Sequence, residues 1–197
     1  PLTSDAKWQA YLHGSGAFDG FGHAMGVMDR NGDGIDDLVV GAPTAGSDPE
    51  LATETGAVYV YDGPLSGLSE IEDSAVSIFG VDDGGDFGYA LAVDGDWDGD
   101  GSDDLLVGAP QSNEAFVVSL GGLTSGEDIE SVMLARLQGA ASGELGMSVA
   151  LDGDVDGDGA ADALLGAPSY GDDHSESGAA VLFLGGFTGT TDEADAR

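Results

Sequence analysis

Three short acidic segments carry the densest array of ligand-type side chains in the chain. They are Asp29-Arg30-Asn31-Gly32-Asp33-Gly34-Ile35-Asp36-Asp37, Asp96-Trp97-Asp98-Gly99-Asp100-Gly101-Ser102-Asp103-Asp104 and Asp154-Val155-Asp156-Gly157-Asp158-Gly159-Ala160-Ala161-Asp162. Counted along each loop, side-chain oxygens fall at positions 1, 3, 5 and 9: Asp29, Asn31, Asp33 and Asp37; Asp96, Asp98, Asp100 and Asp104; Asp154, Asp156, Asp158 and Asp162. Alternate residues of a tight loop can turn toward one centre, and the glycine at position 6 permits the sharp turn. Position 7 (Ile35, Ser102, Ala160) offers a backbone carbonyl. All-oxygen sets of this size suit calcium better than magnesium, which prefers a smaller octahedron and keeps its waters. Clustered carboxylates also repel one another unless a cation lies among them. The expectation is three Ca2+ sites.

An EF-hand shares the early positions of such a loop. It requires a bidentate Glu at position 12, where this chain has Val40, Val107 and Leu165, and it requires flanking helices. The flanks here read as strands, so the EF-hand is rejected.

The loops belong to a longer repeat. A Phe-Gly or Leu-Gly pair (Phe21-Gly22, Phe87-Gly88, Leu145-Gly146) precedes each loop, and a Gly-Ala-Pro triplet (Gly41, Gly108, Gly166 onward) follows it. Equivalent positions are separated by 67 residues (29 to 96) and then 58 (96 to 154). Each unit reads as four short strands, the proline of the triplet ending the second. A repeated four-stranded unit is a β-propeller blade, so the predicted fold is all-β, with blades at about 18–80, 81–138 and 139–187 in one region spanning 1–197. The third unit lacks a fourth strand before the polar stretch 188–197. The segment 7–13 reads as a fourth strand ahead of the first unit, and is expected to supply the strand that a last blade lacks. Three blades do not readily close a ring, so the expectation is a second copy that closes a six-bladed ring, with a fragment of a longer propeller and an open stack of blades as the alternatives.

The charge is extreme, with 38 acidic against 4 basic residues and a net charge of −34. Such a field repels nucleic acid and anionic membrane surfaces. No cysteine is present, which removes disulfides and thiolate metal sites, and no apolar run reaches the roughly 18 residues of a membrane span. The 35 glycines suit many short strands and turns.

Phe-Gly, the Asp-x-Asp-x-Asp-Gly-x-x-Asp loop and Gly-Ala-Pro, taken in order over about residues 7–187, resemble the FG-GAP repeats of the integrin α-subunit propeller. The low complexity and lack of cysteine look like a bacterial member. The resemblance implies calcium in the loop between strands one and two, and a protein or glycan partner on the opposite face. Leu145 for Phe, Asn31 for Asp, and three blades where the integrin propeller has seven are the departures.

On that opposite face the loops between strands two and three vary most, and Tyr170, Asp172, Asp173 and His174 are the candidate contacts. The expected role is a non-catalytic, calcium-dependent adhesion or interaction module, extracellular, at the cell surface or periplasmic. A carbohydrate-binding or lyase-associated propeller and a purely structural repeat are the alternatives. Asp173-His174-Ser175-Glu176-Ser177 matches an adhesion-site motif outside its structural context and is read as chance. Trp97 reads either as an exposed aromatic or as a cover for its loop.

Overall fold

The computed structural model of the protein describes residues 10–14, 18–46, 53–70, 73–139, 143–171 and 177–192. Asp172, Asp173 and His174, the adhesion-like motif up to Glu176, and residues 7–9 of the N-terminal strand lie outside them.

Runs of Val, Leu and Ala form the three expected antiparallel sheets. The first contains β2 (Met25–Met28), β3 (Asp37–Ala42), β4 (Ala57–Tyr61) and β6 (Val76–Phe79). The second contains β7 (Ala90–Gly95), β8 (Asp104–Ala109), β9 (Glu114–Val118) and β11 (Met133–Gln138). The third contains β12 (Ser148–Gly153), β13 (Asp162–Ala167) and β14 (Ala179–Phe183). These are blades one, two and three of an all-β propeller arrangement. The innermost strands β2, β7 and β12 line a common cleft of about 430 Å³.

The core lies between blades. Val39, Val58, Val60, Val76 and Ile78 of blade one pack on Phe87, Val93, Leu105, Val107 and Phe116 of blade two. Trp97, Leu106, Val117 and Leu137 of blade two pack in turn on Leu145, Leu151, Leu165, Val181 and Phe183 of blade three. β8 and β9 are buried along their whole length because a blade covers each face. The close approach explains Gly41 and Gly108: a Cβ there would collide with the carbonyl oxygens of Gly88 and Gly146, the Phe-Gly and Leu-Gly turns of the following blade.

Four further strands correct the sequence reading. β5 (Gly67–Glu70), β10 (Ser125–Asp128) and β15 (Gly189–Asp192) follow the third strand of their units. β10 pairs in parallel with β6 of the preceding blade, and β15 with β11. Residues 188–192 are therefore not merely a polar tail. The N-terminal strand β1 (Ala10–His13) pairs in parallel with β5, Ala10 opposite Gly67 and His13 opposite Glu70. Within the chain β1 does not complete the last blade. It takes the outer-strand place of a blade preceding the first, and its Leu12 packs against the core cluster that holds Val40, Tyr59 and Tyr61. A one-turn helix, α1 (Ile129–Val132), was also not expected; it puts Ile129 into the core.

Candidate metal centres

Each acidic segment forms the turn between the first two strands of its blade: β2–β3, β7–β8 and β12–β13. The three turns are built alike. In the first, Asp29 Oδ1 accepts the amides of Gly32 and Asp33, and its Oδ2 accepts that of Gly34. Asp96 does the same for Gly99, Asp100 and Gly101, and Asp154 for Gly157, Asp158 and Gly159. The position-6 glycines Gly34, Gly101 and Gly159 have φ of 84°, 92° and 99°, left-handed conformations that side chains resist.

Position 9 closes the turn. In each turn this carboxylate (Asp37, Asp104 or Asp162) is buried and accepts the amide of position 2 through Oδ2: Arg30 at 3.1 Å, Trp97 at 2.9 Å and Val155 at 2.6 Å. Asp37 Oδ1 also accepts Gly63 N, and Asp162 Oδ1 accepts Gly185 N. Asp104 Oδ1 is buried with no hydrogen-bond partner. Burial pushes the Asp104 carboxyl up to about 6; the Trp97 amide opposes this, while Asp98, Asp100 and Asp96 reinforce it. An orphaned buried oxygen beside three further carboxylates is the environment that a divalent cation relieves.

The carboxylates of positions 1, 3 and 9 converge. Asp96, Asp98 and Asp104 each bring an oxygen within 4.8 Å of the others, as do Asp154, Asp156 and Asp162. The first turn has Asn31 at position 3, so only two of these three places carry a carboxylate. Position 5 stands apart from the converging groups: Asp33, Asp100 and Asp158 use Oδ1 to accept the amides of Ile35, Ser102 and Ala160. These donor sets, all oxygen and mostly anionic, fit a hard divalent cation.

Position 2 carries a signal that the sequence did not resolve. Trp97 is not an exposed aromatic but fully buried. Its indole Nε1–H donates to Phe187 O at 2.8 Å, its ring meets Phe187 edge-on at 5.1 Å, and its carbonyl accepts Gly186 N. The Asp96 carbonyl accepts Ala161 N from the next turn. Arg30, the equivalent residue, forks onto Asp62 at 2.7 and 3.0 Å and reaches Leu120 O of blade two. The turns therefore join neighbouring blades as well as neighbouring strands.

The opposite end is built from the loops between strands two and three and those leading into the next blade. Asn113 Oδ1 accepts the amides of Gly143 and Leu145, and its amide donates to Gly139 O. Ser169 Oγ–H donates to Glu144. Tyr170 is partly buried against the core between blades two and three, and its carbonyl accepts Ser177 N and Gly178 N. Burial pushes the Asp86 carboxyl up, and the nearby His23 opposes the shift.

The FG-GAP repeat model matches residues 21–61 and 87–123, the first two units. The third, with Leu145 in place of Phe, lies beyond those matches but folds, among the described residues, as the same three inner strands and the same turn. Integrin alpha-5 of Xenopus laevis is 33% identical over 155 residues, 75% of this chain and 14% of that protein. Integrin alpha-7 of Mus musculus is 36% identical over 161 residues, 81% of this chain and 13% of its own length. Phosphatidylinositol-glycan-specific phospholipase D of Bos taurus is 40% identical over 110 residues, 55% of this chain and 12% of its length. The chain thus spans about one-seventh of the integrin subunits it matches. With these matches, the blade order and the turn geometry together, the chain is an FG-GAP repeat protein with β-propeller blades of the integrin α-subunit type.

Proposed function

We propose that the chain is a calcium-binding interaction module that acts outside the cell, holding a protein or glycan ligand on the end opposite its acidic turns, without catalysis. The observation that carries the metal reading is the convergence of positions 1, 3 and 9 in turns two and three, with Asp104 Oδ1 left unpaired. In this reading Asp29, Asn31, Asp33 and Asp37 and their counterparts supply side-chain oxygens, and Ile35, Ser102 and Ala160 supply carbonyls. The ion supplies positive charge that cancels carboxylate repulsion.

The chain's own residues do the rest. Position 1 gathers three backbone amides, position 9 ties the turn to the end of the third strand in blades one and three, and position 2 reaches the following blade. Loading the turns would therefore stiffen the stack and hold the opposite loops in fixed relation. Variable loops on such a scaffold are where recognition is usually placed. Among the described residues no helix is long and apolar enough to cross a membrane.

Integrin alpha-5 and alpha-7 support the interaction reading, whereas the phospholipase D relative admits a scaffold attached to an enzyme. Panels of extracellular-matrix proteins and glycans, probed with the chain in calcium and in chelator, separate these. Saturable, calcium-dependent capture without turnover of glycans or of glycosylphosphatidylinositol lipid is expected. Turnover, or capture indifferent to chelator, would contradict the proposal.

A further inference from the structure

Turns two and three share a run of backbone hydrogen bonds that turns one and two lack. In turn two the Trp97 N–H donates to Asp104 Oδ2 at 2.9 Å. The carbonyl of that same peptide unit, on Asp96, accepts the Ala161 N–H of turn three at 2.8 Å. The carbonyl of the Ala161 peptide unit is that of Ala160, position 7 of turn three. In a trans peptide the N–H and C=O point in opposite directions. Two peptide planes in series therefore lead from the position-9 carboxylate of turn two to the position-7 oxygen of turn three.

A second run lies beside the first. The Trp97 carbonyl accepts the Gly186 N–H at 2.7 Å, and the neighbouring Gly185 N–H donates at 2.9 Å to Asp162 Oδ1, position 9 of turn three. Backbones approach so closely here that a Cβ on Gly185 would lie 2.2 Å from the Ala161 carbonyl oxygen. Trp97 is fully buried in this seam, so the bonds are shielded from competing water. Turns one and two are the internal control. Their equivalents of Asp96 and Ala161 are Asp29 and Asp103, and among the described residues no backbone bond joins these two. Arg30 reaches blade two through its side chain instead, Nη1 lying 3.5 Å from the Leu120 carbonyl oxygen.

We infer that turns two and three take up calcium cooperatively, while turn one binds on its own. The inference rests on the calcium reading above. Repulsion among vacant carboxylates leaves an unloaded turn free to shift. Once turn two is loaded, Asp96 and Asp104 are fixed, and with them the carbonyl that holds Ala161 and so the Ala160 oxygen. Turn three then loses less conformational freedom on binding, which is positive coupling. Repulsion between the two ions opposes this, but turns two and three carry five and four aspartates, so each loaded turn remains net negative.

The test follows each turn separately in the whole chain as calcium is added at physiological salt. The reporters are the amide NMR signals of Gly34, Gly101 and Gly159, which donate to Asp29, Asp96 and Asp154. Gly101 and Gly159 should change together along one sigmoidal curve, and Gly34 along a separate hyperbolic one. Asp156→Ala in turn three should weaken calcium at turn two about fivefold or more, and Asp98→Ala in turn two should weaken turn three by the same factor, because coupling between binding sites is reciprocal. Asp33→Ala in turn one removes a carboxylate just as they do, and should move neither. In the Asp98→Ala chain, calcium at turn three should still slow hydrogen exchange of the Trp97 amide across the seam. Should either alanine variant unfold, Asp156→Asn and Asp98→Asn repeat the test with the side chain that turn one carries naturally as Asn31. Turns that bind calcium independently, or that weaken one another, overturn the coupling and leave the calcium reading standing, as does a turn-one variant that weakens turns two and three equally. Glycine signals that ignore calcium in every turn overturn the calcium reading and the coupling with it.

Discussion

Turns two and three both carry aspartate at positions 1, 3, 5 and 9, yet the residue at position 2 is fully buried in one and 67% exposed in the other. Trp97 has blade three to pack against, whereas among the described residues no further blade packs on Val155. The same contrast separates Leu106 from Leu164, and Val93 from Val27. The comparison teaches that the motif residues specify the turn locally, whereas burial of the flanking apolar residues is a property of the stack. A blade is half of two interfaces, and its stability depends on which of its neighbours are present.

The strongest way to sharpen that contrast is to remove the proposed metal. Each loaded site adds about 2.7 kcal/mol at free calcium about a hundredfold above its Kd. Chelation should therefore lower the melting temperature by well over ten degrees, and calcium should restore it, as followed by differential scanning calorimetry. Next in size is Trp97→Ala, which empties a fully buried site and should cost about 3–5 kcal/mol, whereas Val155→Ala should be nearly neutral in the monomer. Chemical denaturation of both variants at low protein concentration measures the gap.

Leu106→Ala against Leu164→Ala is a finer version of the same comparison. The first should cost about 2–5 kcal/mol; the second should stay within about 0.5 kcal/mol in the monomer. If the two variants were equal in dilute solution, the contrast between buried and open faces would fail.

The smallest expected effect concerns Asp104. Its folded-state pKa is raised to about 6, so the metal-free folded chain holds this proton more tightly than the unfolded chain does. The resulting stabilisation is present below about pH 4 and is lost as pH rises through about 6. In chelator at pH 7, Asp104→Asn should match or exceed the wild type in melting temperature. In calcium the order should reverse, because the variant lacks an anionic ligand.

Much of this was legible in the sequence. The turns, the inner strands and the blade repeat follow from donor spacing, from apolar runs such as Val58-Tyr59-Val60-Tyr61, and from Gly-Ala-Pro. β5, β10 and β15 were not legible. Gly-Leu-Ser-Glu, Ser-Gly-Glu-Asp and Gly-Thr-Thr-Asp have no apolar alternation, and each of these strands gains its pairing from the outer strand of a different unit. The burial of Trp97 was hidden for a related reason, since its partner Phe187 lies 90 residues further on. Donor spacing did not reveal the amide bonds within each turn either: in all three turns the position-5 aspartates accept the amides of position 7 through Oδ1.

The most direct test of the central claim is equilibrium dialysis of the whole chain against calcium, with the bound metal counted. The account predicts three ions per chain, and two for the double variant Asp154→Ala with Asp156→Ala. A chain that stays folded and binds no calcium, or a count unmoved by the double variant, would contradict it.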